Sequence, residues 1–179
     1  MKKVINIDSE YNHESEGNRM LKTSNELFNR DIMGITDLRT NLSNVIDNAI
    51  ERFQEVIAGN VKKGGKTATI ISTELLDILL GYYQFNSVIN YDNSTQQYEV
   101  IVPEIGVSGF GETEQVAIDI LLDNIISLTE DYFDDIELYI RIEKYKKQYP
   151  YYLKLKGCTK KEQLLKVLGL DQKIHRKDV

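Results

Sequence analysis

Ile35-Thr-Asp-Leu-Arg-Thr-Asn-Leu-Ser43, running on into Asn44-Val-Ile-Asp-Asn-Ala49, decides how the first half of this chain is read. Its apolar residues Leu38, Leu42, Val45, Ile46 and Ala49 recur at steps of three and four, which places them on one face of a helix. Thr36 stands where a hydroxyl can accept from the free N–H groups of a first turn, so the spacing predicts a helix over about residues 37–52. Arg39, Thr40, Asn41, Ser43 and Asn44 then fall on the opposite, polar face.

Downstream, Glu55-Val-Ile-Ala58 and the β-branched run Thr67-Ala-Thr-Ile-Ile71 flank Lys62-Lys-Gly-Gly-Lys66, the composition of a hairpin whose glycines supply positive φ. Ser72 is placed to cap a second helix with Leu75, Leu76, Leu79, Leu80 and Tyr83 as its stripe, and with Glu74 in the first turn, where the helix dipole favours it. The order is (β)αββα. So short a unit buries little surface alone, and dimerisation is expected of it. Upstream, residues 1–33 are polar and aperiodic, the composition of a flexible arm with at most a short helix near Met20–Phe28.

A second unit opens at Ser87-Val-Ile-Asn-Tyr91, turns through Asp92-Asn-Ser-Thr95 and returns along Tyr98-Glu-Val-Ile-Val102. Ile105 to Ser108 is a candidate third strand, after which Gly109-Phe-Gly111 reads as a turn into a helix over about Thr113–Asp131. That helix is apolar on more than one stripe, so it needs a cover besides the sheet. A helix over about Asp135–Lys147 is expected to provide it and to be broken by Tyr149-Pro-Tyr-Tyr152. Thr159-Lys-Lys-Glu162 has capping-box spacing ahead of a last helix over 160–169, with Gly169 as its stop. The organisation expected is therefore an arm at 1–33, a first unit at 34–84, an acidic second unit at 85–135 and a basic helical tail at 136–179, in an α+β fold class.

Composition excludes several function classes. Of 179 residues, 41% are apolar and 28% charged, with no uninterrupted run near the ~18 apolar residues that span a bilayer. Met1 to Asp8 has no apolar leader segment, so a cytoplasmic location and no membrane partner are expected. One cysteine, Cys158, and two distant histidines form neither a disulfide nor a zinc pattern, and no metal or other cofactor is expected.

The net charge of −6 is unevenly spread. Residues 81–137 carry 12 acidic side chains and no Lys or Arg, whereas 138–179 carry 12 basic and 4 acidic ones. A surface of one sign steers an oppositely charged partner, over a range of roughly 8 Å at physiological salt. The same pattern is satisfied if the acidic face meets the basic tail of its own chain.

Two stretches resemble known families. The run Ile35–Ser43, the Lys-Lys-Gly-Gly-Lys hairpin, the strand ending in Ile71-Ser72 and the leucine-rich helix together resemble the prevent-host-death (Phd/YefM) antitoxin family over about residues 34–83. The resemblance implies a homodimer that grips operator DNA and represses the gene pair encoding antitoxin and toxin. By position it assigns Arg39, Thr40 and Asn41 to the DNA groove and Lys62 and Lys63 to phosphates. The stretch Val102-Pro-Glu-Ile-Gly106, followed by Gly111-Glu-Thr-Glu-Gln-Val-Ala117, resembles the HicB antitoxin fold, a small antiparallel sheet with a helix. That resemblance implies a domain covering a basic, RNA-cutting toxin.

The residues themselves support a non-enzymatic binding protein. A guanidinium at Arg39 can reach guanine edges or phosphates, yet an arginine on a helix surface is equally at ease in water. Lys62, Lys63 and Lys66 suit phosphates and also suit an ordinary solubilising turn. Gly109-Phe-Gly111 lacks the Lys-Ser/Thr of a phosphate loop, and Glu112 and Glu114 would repel an anion. The pairs Glu130-Asp131 and Asp134-Asp135 have no histidine companion and read as surface charge; the tyrosines at 145, 149, 151 and 152 read as packing. Cys158 has lysines nearby but no base placed by sequence. The alternative to a DNA-binding antitoxin is a non-catalytic dimeric interaction module, and an RNase-H-like nuclease would need clustered carboxylates with a divalent metal.

Overall fold

The computed structural model describes residues 31–60, 66–158 and 160–171, which divide after Thr73 into two compact units. The expectations placed on the arm up to Arg30, with its Met20–Phe28 helix, on Lys62, Lys63, the Gly64-Gly65 turn, Thr159 and the tail beyond Asp171 lie outside the described residues.

The first unit begins earlier than the periodicity predicts. Strand β1, Ile32–Gly34, occupies the end of the stretch read as an arm, because it pairs in parallel with β2, Val56–Gly59, from Ile32 opposite Ile57 to Gly34 opposite Gly59. Only a partner more than twenty residues away makes that strand, so local composition does not signal it. β2 also pairs antiparallel with β3, Thr67–Ile70, giving a three-stranded sheet in the order β1-β2-β3. The single helix expected over 37–52 is two: α1, Ile35–Thr40, and α2, Leu42–Arg52. They part at Asn41, whose backbone N–H and side-chain amide both donate to the Asp37 carbonyl, each at 3.0 Å. Asn competes with the helix by capping it locally, which is what breaks the run. The residue preceding α1 is Gly34, and no side chain caps that helix, so Thr36 is not its cap. α2 turns Val45 and Ala49 inward, where they join Ile57 and Ala58 as the buried apolar residues of this unit. Leu42, Ile46 and Ile50, spaced four apart, stay exposed on the same helix.

Helix α3, Thr73–Gly81, spans the division and has no buried residue. The second unit then builds a meander of β4, Val88–Asp92, β5, Gln97–Val102, and β6, Val107–Gly111, in the order β4-β5-β6. The β4–β5 turn is held by Asp92, whose carboxylate accepts from the Ser94 hydroxyl at 2.6 Å, the Ser94 N–H at 2.8 Å and the Thr95 hydroxyl at 3.0 Å. These bonds, the Ser94 hydroxyl foremost, hold the carboxyl below the usual aspartate range. The β5–β6 turn is closed by Gly106, at φ +68°, donating to the Val102 carbonyl at 2.9 Å.

Gly109-Phe-Gly111, read as a turn, is strand instead. Val100 stands opposite Gly109 and Tyr98 opposite Gly111, so both glycines lie on the face covered by α4, Glu114–Asp134. A Cβ on Gly109 would sit 2.2 Å from the Ala117 carbonyl oxygen, and one on Gly111 2.6 Å from Ala117 N. The glycines are there so that helix backbone can approach strand backbone.

Thr113 caps α4, its hydroxyl accepting from Val116 N at 3.3 Å. Ala117, Ile118, Leu121, Leu122, Ile125, Thr129 and Tyr132 follow at helical steps and are buried, each large apolar side chain contributing about 1.5–3 kcal/mol. The expected cover helix over 135–147 is replaced by a short α5, Ile136–Tyr139, and by α6, Glu143–Lys156, with Pro150 inside it rather than after it. Tertiary packing outweighs the proline's missing donor. Tyr152 stacks on Tyr132 with centroids 4.3 Å apart, and Tyr151 meets Phe85 edge-on at 5.2 Å. The last helix, α7, Lys161–Val167, is held by Gln163, whose Oε1 accepts from Lys160 N at 3.1 Å, so Gln163 and not Glu162 does the work of the capping box. Gly169, at φ +66°, ends it as expected. Leu155, Leu164, Leu168 and Leu170 complete the core, and the buried Ser87 hydroxyl donates to the Leu168 carbonyl at 2.8 Å.

Candidate nucleic-acid and partner surfaces

In the first unit Arg39, Thr40 and Asn41, the residues expected at the DNA groove, share the α1–α2 junction. Arg39 is exposed in the last turn of α1, three residues ahead of α2, rather than at the start of one long helix. Thr40 and Asn41 are exposed too, but their donors are engaged: Thr40 Oγ1 bonds the Thr36 carbonyl at 3.1 Å, and the Asn41 amide bonds the Asp37 carbonyl. Arg39 is the side chain of the three with no hydrogen bond or ion pair among the described residues. Lys66, just before β3, is also exposed.

In the second unit the charge segmentation becomes a surface. The outer face of α4 carries Asp119, Asp123, Glu130, Asp131 and Asp134, all exposed, with Asp135 just beyond. Asp123 is paired with Lys161 of α7 at 2.5 Å, and Asp119 accepts from Gln115 at 3.1 Å. Glu130, Asp131, Asp134 and Asp135 have no cationic partner among the described residues. The described part of the tail thus packs on α4 chiefly through its apolar side chains.

Beside these carboxylates runs a groove of about 600 Å³ between the C-terminal half of α4, the end of α6 and the start of α7. Ile125, Ile126, Phe133, Leu155 and Leu164 give it an apolar lining, and Glu130 and Asp134 form one edge. On the other side Lys156 lies over the Phe133 ring, 4.1 Å from its centroid. Cys158 also lines the groove; burial pushes its thiol up, against the opposing charge of Lys154. Among the described residues no three His, Cys, Asp or Glu side chains gather as metal ligands would. No described helix is long and apolar enough to cross a membrane.

Composition did not single out Glu104. Its Oε1 accepts from Asn86 N at 3.0 Å and Asn86 Nδ2 at 2.9 Å, while its carbonyl accepts from the buried Gln148 at 3.1 Å. The acidic residue of the Val-Pro-Glu stretch thereby fastens the β5–β6 turn to the lead-in of β4 and to α6. A carboxylate directly after a strand-ending Pro103 was the available signal.

The sequence model of one family, described as "Antitoxin of toxin-antitoxin, RelE / RelB, TA system", matches residues 30–170 and so runs across both units. The chain belongs to this antitoxin family. Membership implies a cognate toxin as its partner. Among solved structures, an antitoxin part of a proposed toxin/antitoxin system from Syntrophomonas wolfei subsp. wolfei is similar in fold, with a TM-score of 0.63 over 77% of this chain and 96% of that one. At 19% identity the likeness is one of architecture. No curated protein matches the chain. Where the sequence suggests two families in succession, a single antitoxin family spans the two units.

Proposed function

We propose that this antitoxin is a cytoplasmic, non-enzymatic protein that binds operator DNA as a homodimer through its first unit, represses its own operon, and neutralises a small basic toxin through its acidic C-terminal region. The observation that carries the toxin half is the run Glu130, Asp131, Asp134 and Asp135, exposed on and just beyond α4 with no cation of the described chain against it. Such a surface accelerates encounter with a basic protein and selects against acidic ones. The DNA half is supported by the outward Arg39, with Thr40 and Asn41 beside it and Lys62 and Lys63 assigned to phosphates by the Phd/YefM resemblance. The stripe Leu42, Ile46 and Ile50 supports self-association of that unit. The HicB-like reading of the second unit is supported by its antiparallel meander with one helix across it.

A mobility-shift titration on the antitoxin's own promoter tests the first half, and absence of a shift at low salt, with or without toxin, refutes it. Co-purification with the basic protein encoded next to it tests the second. The engagement of Thr40 and Asn41 in capping favours one rival, a dimeric interaction module that does not bind DNA. Arg39→Ala separates the two: loss of the shift with the dimer intact supports DNA binding.

A further inference from the structure

We propose that the groove between α4, α6 and α7 is the seat of a cationic amphipathic helix of the toxin, which inserts an apolar side chain against Ile126 and Leu164 and sets Lys or Arg residues one turn apart against Glu130 and Asp134. This rests on the toxin-neutralising reading above and gives it a location.

Three features of the groove fix the chemistry of its occupant. Its lining is apolar and its volume, about 600 Å³, is room for several side chains, so the inserted face is hydrophobic. Its acidic edge is made by two carboxylates four residues apart on one helix, about one helical turn, and that spacing matches cations one turn apart on a facing helix. Those carboxylates are unpaired within the described chain, so an incoming cation displaces no internal partner. On the α6–α7 side the charges lining the groove among the described residues are Lys156, held over Phe133, and Lys160, which would repel a helix that was cationic all round. An amphipathic helix with its basic residues on one flank satisfies both sides. The rest of the acidic face, with Asp119 near the start of α4, acts at longer range and steers approach without touching the seated helix.

The test compares two double variants of the full chain with equal change of charge. Glu130→Arg with Asp134→Arg alters the groove edge; Glu112→Arg with Asp119→Arg alters the same acidic surface away from it. All four positions are exposed, so the fold is preserved, and circular dichroism checks it. Affinity for the neighbouring basic protein is measured by calorimetry over a salt series, with rescue of growth on toxin expression alongside. The expected result is a loss of affinity of about 30-fold or more for the groove pair, against a loss of a few-fold, confined to low salt, for the remote pair. Equal losses in the two variants, or none in the groove pair while wild type binds, would place the toxin elsewhere and overturn the groove while leaving neutralisation standing. Failure of the wild-type chain to bind the neighbour overturns both. Self-association of the antitoxin alone that disappears in the groove pair would assign the seat to a second copy and also overturn the proposal.

Discussion

Gly109→Ala should damage the second unit more than any other one-carbon change in it. The added methyl would lie 2.2 Å from the Ala117 carbonyl oxygen, 2.4 Å from Leu121 N and 2.8 Å from Leu121 Cα. All three are main-chain atoms of α4, so none can rotate aside. Restoring ordinary contact with that oxygen requires α4 and β6 to part by about 1.2 Å. Such a gap forfeits contacts of Val100, Leu121 and Ile125, each of them fully buried. Overpacking of a core costs about 1–3 kcal/mol, and because a whole helix must retreat we expect about 3 kcal/mol or more. At roughly 4 °C per kcal/mol for a unit of this size, the melting temperature should fall by about 12 °C. Thermal denaturation followed by circular dichroism and calorimetry measures it. Gly81→Ala serves as the control, since a Cβ there meets nothing within 4 Å and should leave the melt unchanged or raise it slightly. A folded Gly109→Ala protein melting within about 2 °C of wild type would refute the backbone-on-backbone packing.

Burial, aided by the neighbouring Tyr139, Tyr145 and Tyr132, pushes the Tyr152 phenol up to about 12, and burial likewise raises Tyr132. An unfolded tyrosine ionises near pH ~10, so this contribution to stability is whole below that pH and is lost as pH rises through the folded value. Tyr152→Phe should accordingly flatten the alkaline fall of stability in urea titrations, and an unchanged slope would count against the burial. Ser87→Ala strips the Leu168 carbonyl of its buried donor and should cost about 1–3 kcal/mol by chemical denaturation; a cost below about 0.3 kcal/mol would mean the bond is idle. Cys158, its thiol raised by burial, should react with a disulfide reagent at neutral pH several-fold more slowly in the folded chain than in urea, and equal rates would contradict the packing around it.

Where local chemistry and tertiary packing agree, the elements were legible in the sequence: the β2–β3 and β4–β5 pairings, the Thr113 start of α4 and the Gly169 stop all follow from alternation, helical spacing and cap residues. The misreadings share a cause. Asn41 fits the polar face of a continuous helix as well as it fits a cap, and only its bonds to Asp37 decide. Pro150 reads as a break until Tyr151 and Tyr152 are seen packed against Phe85 and Tyr132. Gly109 and Gly111, two apart in a strand, carried the signal of a close approach and were read as a turn. Of the candidate site, Arg39 was legible as an outward cation, whereas Thr40 and Asn41 are residue types that serve caps and bases alike. The groove was not legible at all, because Ile125, Phe133, Leu155 and Leu164 meet only once three helices have packed.

Charge segmentation could be an internal device, an acidic helix and a basic tail neutralising each other, and the described part of the tail, up to Asp171, makes little use of it. Helices α6 and α7 approach α4 through Tyr152, Leu155 and Leu164, while Lys147 pairs with Glu143 of its own helix and Lys156 lies over the Phe133 ring. Lys161 reaches one carboxylate, Asp123, in the middle of α4, and Arg141 pairs with Glu137 only as its neighbour on the next turn. Exposed pairs of this kind are worth about 0–1 kcal/mol, too little to account for 12 acidic residues in a stretch without a cation. Apolar burial already joins the tail to α4, so the carboxylates toward the C-terminal end of that helix remain available for a charge brought from outside the described chain. The proposed capture of a basic toxin depends on those carboxylates.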